Sequence, residues 1–335
     1  MGDLLVLTGS AASRTPSGWT QSGRTWAIVL AAGEGSRLAA LTRDAEGVPV
    51  PKQYCSLIGE ATLLEDTLQR ARRFASADRI AVIVSERHRR WWQRALPLAH
   101  EGQTVLQPAN RGTAIGLLLS ALSIAAIDPL ARLVFLPCDH YVRDEALLEE
   151  ALRRASTGPL RADELILLGV APEEVDPGLG YIVPRAAHAR GELPYVDRFV
   201  EKPSPAVAAE LVARGALWNT FMFAATATTV IELVRARLPI IVDSLESALA
   251  IGPGAVAALY ERLPTVDFSR AVLEGAVERL RVLPVPACGW CDLGTPRRVA
   301  ACATQARPRH LGTARPTASS TVCLAAAVAF APQGA

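Results

Sequence analysis

The stretch Thr25–Leu38, "TWAIVLAAGEGSRL", runs an apolar segment straight into two glycines, a serine and an arginine. An apolar run of this length, closed by a glycine turn, reads as a strand buried on both faces of a sheet. The turn then lies at the strand's carboxyl end, where α/β sheets collect phosphate-bearing ligands. Two familiar phosphate loops can be tested against the residues. A P-loop needs Gly, four residues and then Gly-Lys-Ser/Thr, and nothing after Gly33 or Gly35 supplies it. A dinucleotide fingerprint needs a third glycine, and Leu38 stands in its place. The turn is therefore a phosphate loop of another kind, with Arg37 as its charged member, or a plain tight strand-to-helix turn. Its own residues leave both readings open.

Outward from this turn the chain alternates strand-like and helix-like runs. "LLEDTLQRARRFA" reads as a helix, "RIAVIVS" as a strand and "RHRRWWQRALPLA" as a helix. "TVLQP" is a short strand, followed by an apolar helix from Thr113 and the strand "ARLVFLPCD". "EALLEEALRRA" and "ELILLGVAP" repeat the alternation. This predicts an α/β fold with a doubly wound, mostly parallel sheet covered on both faces, Rossmann-like in its layering. A proline-punctuated, less regular region spans Pro177 to Pro205, and Thr226 to Arg281 reads as a helical C-terminal portion. Residues 1–24, rich in Gly, Ser and Thr, read as a flexible leader; 25–302 as the folded domain; 303–335 as a poorly ordered tail.

The 335 residues suffice for one large α/β domain or two small ones, and half of them are hydrophobic, so a sizeable core can form. A net charge of +2 gives no warrant for nucleic acid or a membrane surface as partner. The apolar stretch from Thr113 is closed by Asp128 and Pro129, short of the ~20 residues a bilayer span needs. No secretory signal is visible, and a cytoplasmic location is expected. Six scattered cysteines do not form a disulfide framework. "CGWC" (Cys288 to Cys291) has redox spacing, but it follows a strand late in the chain rather than opening a helix, which argues against that use.

Two rare residue types are more informative. Of 35 basic residues only Lys52 and Lys202 are lysine, and asparagine occurs only at Asn110 and Asn219. A lysine retained in so arginine-rich a chain points to a site that needs a compact ammonium rather than a planar fork. These residues and the unusual acids fall nearly all at predicted strand ends: Asn110 in "QPANRGTA", Asp139-His140 after "LVFLPC", Glu201-Lys202 after "VDRFV" and Asp292 in "GWCDLG", with Lys52 in "PKQY" fifteen residues after Arg37 and Asn219 within "LWNTFMF". Each has a plain alternative, such as a helix cap for Asp139 or a surface ion pair for Glu201 and Lys202. Together they suit phosphoryl chemistry. Arg37, Lys52 and Lys202 supply cations for a polyphosphate. Two carboxylates far apart in sequence suit one Mg²⁺, which takes its other ligands from phosphates. No serine or cysteine nucleophile stands beside a base, and none is needed. A phosphate monoester is already mostly dianionic at neutral pH and can attack unaided.

The ordered set "LAAGEGSRL…PKQY", "QPANRGTA", "PCDH", "GYIV", "FVEKP", "WNTFMF" and "GWCDLG" resembles the motifs of the sugar-1-phosphate nucleotidyltransferases, over about residues 26 to 300. The "PKQY", "QPANRGTA" and "DH" variants favour the mannose-1-phosphate guanylyltransferase branch. The resemblance implies a fold of the nucleotidyltransferase type, GTP and mannose 1-phosphate as small-molecule substrates, and Mg²⁺. It implies that Gly33 and Gly35 hold the nucleotide through backbone contacts and that Arg37 and Lys52 neutralise the triphosphate. Gln107, Gly112 and Thr113 would line the base pocket, and Asp139 and Asp292 would ligate the metal. Lys202 would grip the sugar phosphate, with Gly180, Glu201 and Asn219 on the sugar hydroxyls. Three positions depart from the pattern. Thr220 and Phe221 replace a small pair such as Ser-Gly, the loop before Lys52 is long, and Leu179 precedes "GYI". The same chemistry on another sugar or base is the first alternative, and a catalytically silent nucleotide-sugar-binding regulatory paralogue and a glycosyltransferase are the other classes; the silent paralogue would be expected to have lost one of the charged set, and the glycosyltransferase wants an Asp-x-Asp that "PCDH" does not provide. A homo-oligomer interface would fall on the helical stretch after Thr226 or on the tail.

Overall fold

The computed structural model describes residues 24–96, 102–186 and 192–305. The expected leader and tail fall outside these ranges except at their inner edges. The centre of the fold is β1 (Thr25–Ala31), whose neighbours β2 (Ile80–Ser85) and then β3 (Gln103–Gln107) add in parallel on one side. Helices α1 (Leu63–Ala71) and α2 (Arg89–Ala95) lie in those crossovers. After β3, helix α3 (Gly112–Ala125) carries the chain back to β4 (Arg132–Pro137), which pairs in parallel with the other edge of β1. A short β5 (Tyr141–Val142), helix α4 (Glu145–Thr157) and β6 (Leu165–Val170) follow. The hairpin strands β7 (Gly180–Pro184) and β8 (Val196–Glu201), helix α5 (Pro205–Ala213) and the long β9 (Leu217–Thr226) come next. Helices α6 (Ala227–Arg235), α7 (Pro239–Ile251), α8 (Pro253–Arg262) and α9 (Phe268–Ala271) form the helical portion. The described chain closes with β10 (Leu280–Val285), β11 (Trp290–Cys291) and α10 (Pro296–Gln305).

The main sheet runs β10-β6-β9-β4-β1-β2-β3, with the β7–β8 hairpin attached to β9. The expected doubly wound α/β fold is present, and the sheet is mixed. β9 runs antiparallel between β4 and β6, and the irregular Pro177–Pro205 region proves to contain the antiparallel hairpin. Strand direction is not written in hydrophobic pattern, because a strand buried on both faces reads the same either way.

Alternate residues of β1 enter opposite cores. Ala27, Val29 and Ala31 face one side, and Trp26 and Ile28 face the other. The second core is filled by α3, which buries ten of its fourteen residues beneath α6 and α7. A helix buried around most of its circumference needs no polar face, which is why its sequence is nearly uniformly apolar. Each fully buried leucine here contributes about 1.5–3 kcal/mol relative to exposure. Phe135, Phe223 and Phe268 stack through this layer, with centroids 4.5 and 5.6 Å apart. That stack fixes α9 and the segment before it over the end of the sheet. Among the described residues no helix is long and apolar enough to cross a membrane.

Candidate active site

The order of strand addition reverses between β1 and β4, so the crevice beyond their carboxyl ends is the switch point at which such sheets bind ligands. Because β9 is antiparallel, its first residues reach the same edge; Asn219 lies opposite Gly169 at the end of β6. The start of β7 and end of β8 meet there too, with Gly180 opposite Glu201. A cavity of about 470 Å³ opens at this edge. Its wall contains Gly33, Arg37, Gln107, Gly112, Thr113, Asp139, Gly180, Glu201, Lys202, Asn219 and Asp292, eleven of the residues singled out in the sequence. Gly35 and Lys52 stand behind it.

At one end the glycine turn is braced from below. Gln53 donates through Nε2 to the carbonyls of Ala31 (3.0 Å) and Gly33 (2.9 Å), and the Tyr54 hydroxyl donates to Ala31 (3.1 Å). The role of "PKQY" is thus partly to hold the loop, which the single attention to Lys52 missed. Gly35 has φ +63°, and a Cβ there would stand 3.0 Å from the Lys52 amide nitrogen, so both conformation and space call for glycine. The extra length before Lys52 folds into its own small hairpin. Arg43 bridges Pro49, the Asp44 and Val48 backbones bond, and the chain returns to Lys52.

At the start of α3, Asn110 Oδ1 accepts from the Gly112 amide at 2.9 Å, and Thr113 Oγ1 accepts from the Phe268 amide at 2.8 Å. Gly112 has φ +82°, and a Cβ there would lie 2.2 Å from the Val266 carbonyl oxygen. Gln107, at the end of β3, is 4% exposed, and its Oε1 is buried with no hydrogen-bond partner. It packs on Gly116, whose missing Cβ leaves the room. A buried, unpartnered amide oxygen on a cavity wall is a group awaiting a donor.

At the other end, a Cβ on Gly180 would stand 2.6 Å from Glu201 Oε2. Lys202, with φ +50°, bonds Glu201 Oε1 at 2.6 Å, and Asn219 is buried with its Oδ1 accepting from the Phe221 amide at 3.0 Å. Phe221 keeps a left-handed backbone, φ +57°, where the sequence places a bulky ring instead of a small residue. That conformation costs a non-glycine residue about 1–3 kcal/mol, so the surrounding packing holds it in place. Its ring meets Phe223 and Phe268 edge-on at 6.1 and 6.3 Å and faces the cavity. Thr220 turns inward, donating to the Leu168 carbonyl at 2.7 Å. Leu179 sits in the wall beside Gly180.

Between the two ends lie the carboxylates. β5 and β11 form a two-residue antiparallel ladder, Trp290 opposite Val142 and Cys291 opposite Tyr141, which brings Asp139 and Asp292 to one place. The side chain of Lys52, 8% exposed, links them: its Nζ lies 3.1 Å from Asp139 Oδ2 and donates to the Asp292 carbonyl at 2.8 Å. The Asp292 carboxylate is held by Arg298 at 2.6 Å and by the Gly294 amide at 2.9 Å. Burial alone would raise the Asp139 carboxyl, but the charge of Lys52 and hydrogen bonds from Lys52 and the backbone together hold it below its ordinary value. Burial keeps the His140 imidazole below its ordinary value, against the attraction of Asp139.

Charge at the cavity decides whether a divalent cation fits. Four carboxylates line it, those of Asp139, Glu201, Asp267 and Asp292, against Arg37 and Lys202, and Lys202 is already paired with Glu201. A triphosphate entering this wall would be poorly balanced without an added cation. The Asp139 and Asp292 carboxylates form a hard oxygen set of the kind Mg²⁺ takes. Among the described residues no three His, Cys, Asp or Glu side chains gather into a metal cage. An ion at Asp139 and Asp292 would draw its other ligands from water and substrate phosphates.

Sequence reasoning passed over Gln53 and Arg298 and the contact between Trp290 and His140, which join residues distant in the chain, and Asp267, which caps α9 and lines the cavity. Cys288 and Cys291 of "CGWC" are both free thiols, Cys288 being buried, with burial pushing its thiol up to about 11.

The nucleotidyl transferase family model matches residues 26–307. The alginate biosynthesis protein AlgA of Pseudomonas aeruginosa is 31% identical over 281 residues, covering 80% of this chain and 56% of that protein. The mannose-1-phosphate guanylyltransferase of Escherichia coli K12 is 32% identical over 285 residues, with 80% and 57% covered. The chain thus spans about half the length of these curated relatives. A solved structure described as mannose-1-phosphate geranyltransferase from Thermus thermophilus superposes with a TM-score of 0.73 at 31% identity, covering 83% of this chain and 79% of that one. With the glycine turn and the carboxylate pair on one sheet edge and the family model matched over residues 26–307, the chain belongs to the nucleotidyl transferase family.

Proposed function

We propose that the chain condenses mannose 1-phosphate with GTP, giving GDP-mannose and pyrophosphate, with Mg²⁺ held at Asp139 and Asp292. The observation that carries this reading is a single cavity joining the glycine turn and Arg37, the Asp139 and Asp292 carboxylates, and a polar end made by Glu201, Lys202 and Asn219. Similarity to proteins named mannose-1-phosphate guanylyltransferase supports the choice of sugar. The unpartnered Gln107 Oε1 supports the choice of base, since guanine presents N1–H and an exocyclic amine to an acceptor.

In this reading the backbone of the Gly33–Gly35 turn and the Arg37 guanidinium hold the triphosphate. Lys202 leaves Glu201 to take the sugar phosphate, and Glu201, Asn219 and the Gly180 backbone contact sugar hydroxyls. The phosphate oxygen of the sugar attacks the α-phosphorus in line, a new P–O bond forms, and the bond to pyrophosphate breaks. No proton need move, because the attacking monoester has its second pKa near ~6 and is mostly dianionic at neutral pH. A bound Mg²⁺ would supply charge neutralisation across the reacting phosphates. Lys52 keeps Asp139 ionised and both aspartate loops in register.

The reverse reaction is a direct check. GDP-mannose and pyrophosphate with Mg²⁺ should yield GTP, and Asp139→Ala should abolish it. Protein that binds GDP-mannose yet forms no GTP would instead be a silent nucleotide-sugar binder.

A further inference from the structure

The Trp290 indole Nε1–H donates to His140 Nδ1 at 3.3 Å, with the rings edge-to-face at 5.2 Å and 88°. The indole nitrogen is a donor only, so Nδ1 must present its lone pair. The proton of the neutral imidazole then sits on Nε2, which faces Asp139 Oδ1 at 3.5 Å. Asp139 Oδ2 faces the Lys52 ammonium at 3.1 Å. Each carboxylate oxygen thus has its own positive or donor neighbour, and the plane of the group is set from both sides. His140 is 9% and Trp290 6% exposed, so bulk water competes little for these contacts. In the other tautomer His140 would turn a lone pair toward the carboxylate, and repulsion would rotate one of them away. Trp290 lies one residue from Cys291 and two from Asp292, on the strand whose ladder with β5 joins the two aspartate loops.

We infer that Trp290 and His140 are positioning residues: Trp290 fixes the tautomer of His140, and His140 fixes the orientation of Asp139. The inference rests on the reading of Asp139 as a metal ligand, and it assigns the aromatic of "GWCD" and the histidine of "PCDH" to one relay. Outer partners of this kind typically account for about 10–100-fold in metal affinity.

The test begins with the metal-free protein. Side-chain ¹⁵N spectra should show His140 protonated at Nε2 alone, and Trp290→Phe, which keeps an aromatic ring and removes the donor, should show a mixture of tautomers. Titration with Mn²⁺ alone, followed by electron paramagnetic resonance, should give about tenfold weaker binding for His140→Leu and an intermediate loss for Trp290→Phe. His140→Gln, whose amide can still donate to Asp139, should recover most of the affinity. Unchanged tautomer and unchanged Mn²⁺ affinity in Trp290→Phe would overturn the inference, as would His140→Leu binding like the parent. Parent protein that takes up no Mn²⁺ would sink the metal reading. The tautomer in Trp290→Phe would then decide the relay by itself, with an unchanged Nε2–H form overturning it.

Discussion

Replacing Lys52 by methionine keeps most of the buried stem and removes the ammonium that joins Asp139 to the Asp292 loop. The change deletes a charge-assisted contact to Asp139 and a bond to the Asp292 carbonyl, leaving a carboxylate without its main counter-charge. Breaking a fully buried ion pair from one side costs about 3–5 kcal/mol. Lys52 meets that condition, with 8% of its side chain exposed, but Asp139 is 34% exposed and keeps some water. Solvent screening reduces the figure to about 2–3 kcal/mol at pH 7. The sign of the pH dependence follows from Asp139. Its folded-state carboxyl lies below the ordinary value of 3.8, so its contribution is present above that value and lost as pH falls through the lowered one. Without Lys52, burial dominates, the carboxyl rises above its ordinary value, and protonation relieves the variant. The stability gap between parent and Lys52→Met should therefore be about 2–3 kcal/mol at pH 7 and close as pH falls toward about 3. Urea unfolding followed by tryptophan fluorescence at a series of pH values measures this. A gap that is constant with pH, or a variant as stable as the parent, would refute the assignment of Lys52 as the bridge.

Phe221→Gly relieves a left-handed backbone worth about 1–3 kcal/mol but loses two edge-on ring contacts of about 0.5–1.5 kcal/mol each and part of the ring's burial. The net loss should be only about 1 kcal/mol by denaturant titration, well below the ~3–5 kcal/mol typical of deleting a buried phenylalanine, and the variant should accept a wider range of sugar 1-phosphates. Gly112→Ala places a Cβ 2.2 Å from the Val266 carbonyl oxygen in a backbone conformation that disfavours alanine. A loss of about 3 kcal/mol or more in thermal unfolding is expected, and a normal melting temperature would contradict the close approach. Burial holds the His88 imidazole below its ordinary 6.5 despite Glu34 beside it, so stability should fall as pH drops from about 7 to 5. His88→Gln should show a flatter profile over that window, and an identical slope would show that another group titrates there.

What the sequence made legible was local or periodic. The strand–glycine turn at Thr25–Leu38, the apolar α3 and the order of motifs along the chain all follow from short spacings, and eleven chosen residues line one cavity. What it concealed depends on pairing across the fold. β9 reads as a buried strand whichever way it runs, and the β7–β8 hairpin is masked by prolines and alternation too short to register. The scarcity of lysine flagged Lys52, but only the ladder of β5 with β11 shows it buried behind the cavity between two aspartate loops rather than lining the wall. Gln53 acts on carbonyls twenty or more residues earlier and Arg298 on Asp292 and the distant Asp176, and no spacing rule announces either. Phe221 was visible as a departure; that it retains a left-handed backbone was not.

The most direct test of the central claim is pyrophosphate release with Mg²⁺, each nucleoside triphosphate being paired in turn with mannose 1-phosphate and glucose 1-phosphate. Release should require GTP and mannose 1-phosphate together and disappear in Asp139→Ala. Release with a different pair would keep the chemistry and contradict the assignments of base and sugar. No release with any pair, from protein that still binds nucleotide, would contradict the catalytic reading itself.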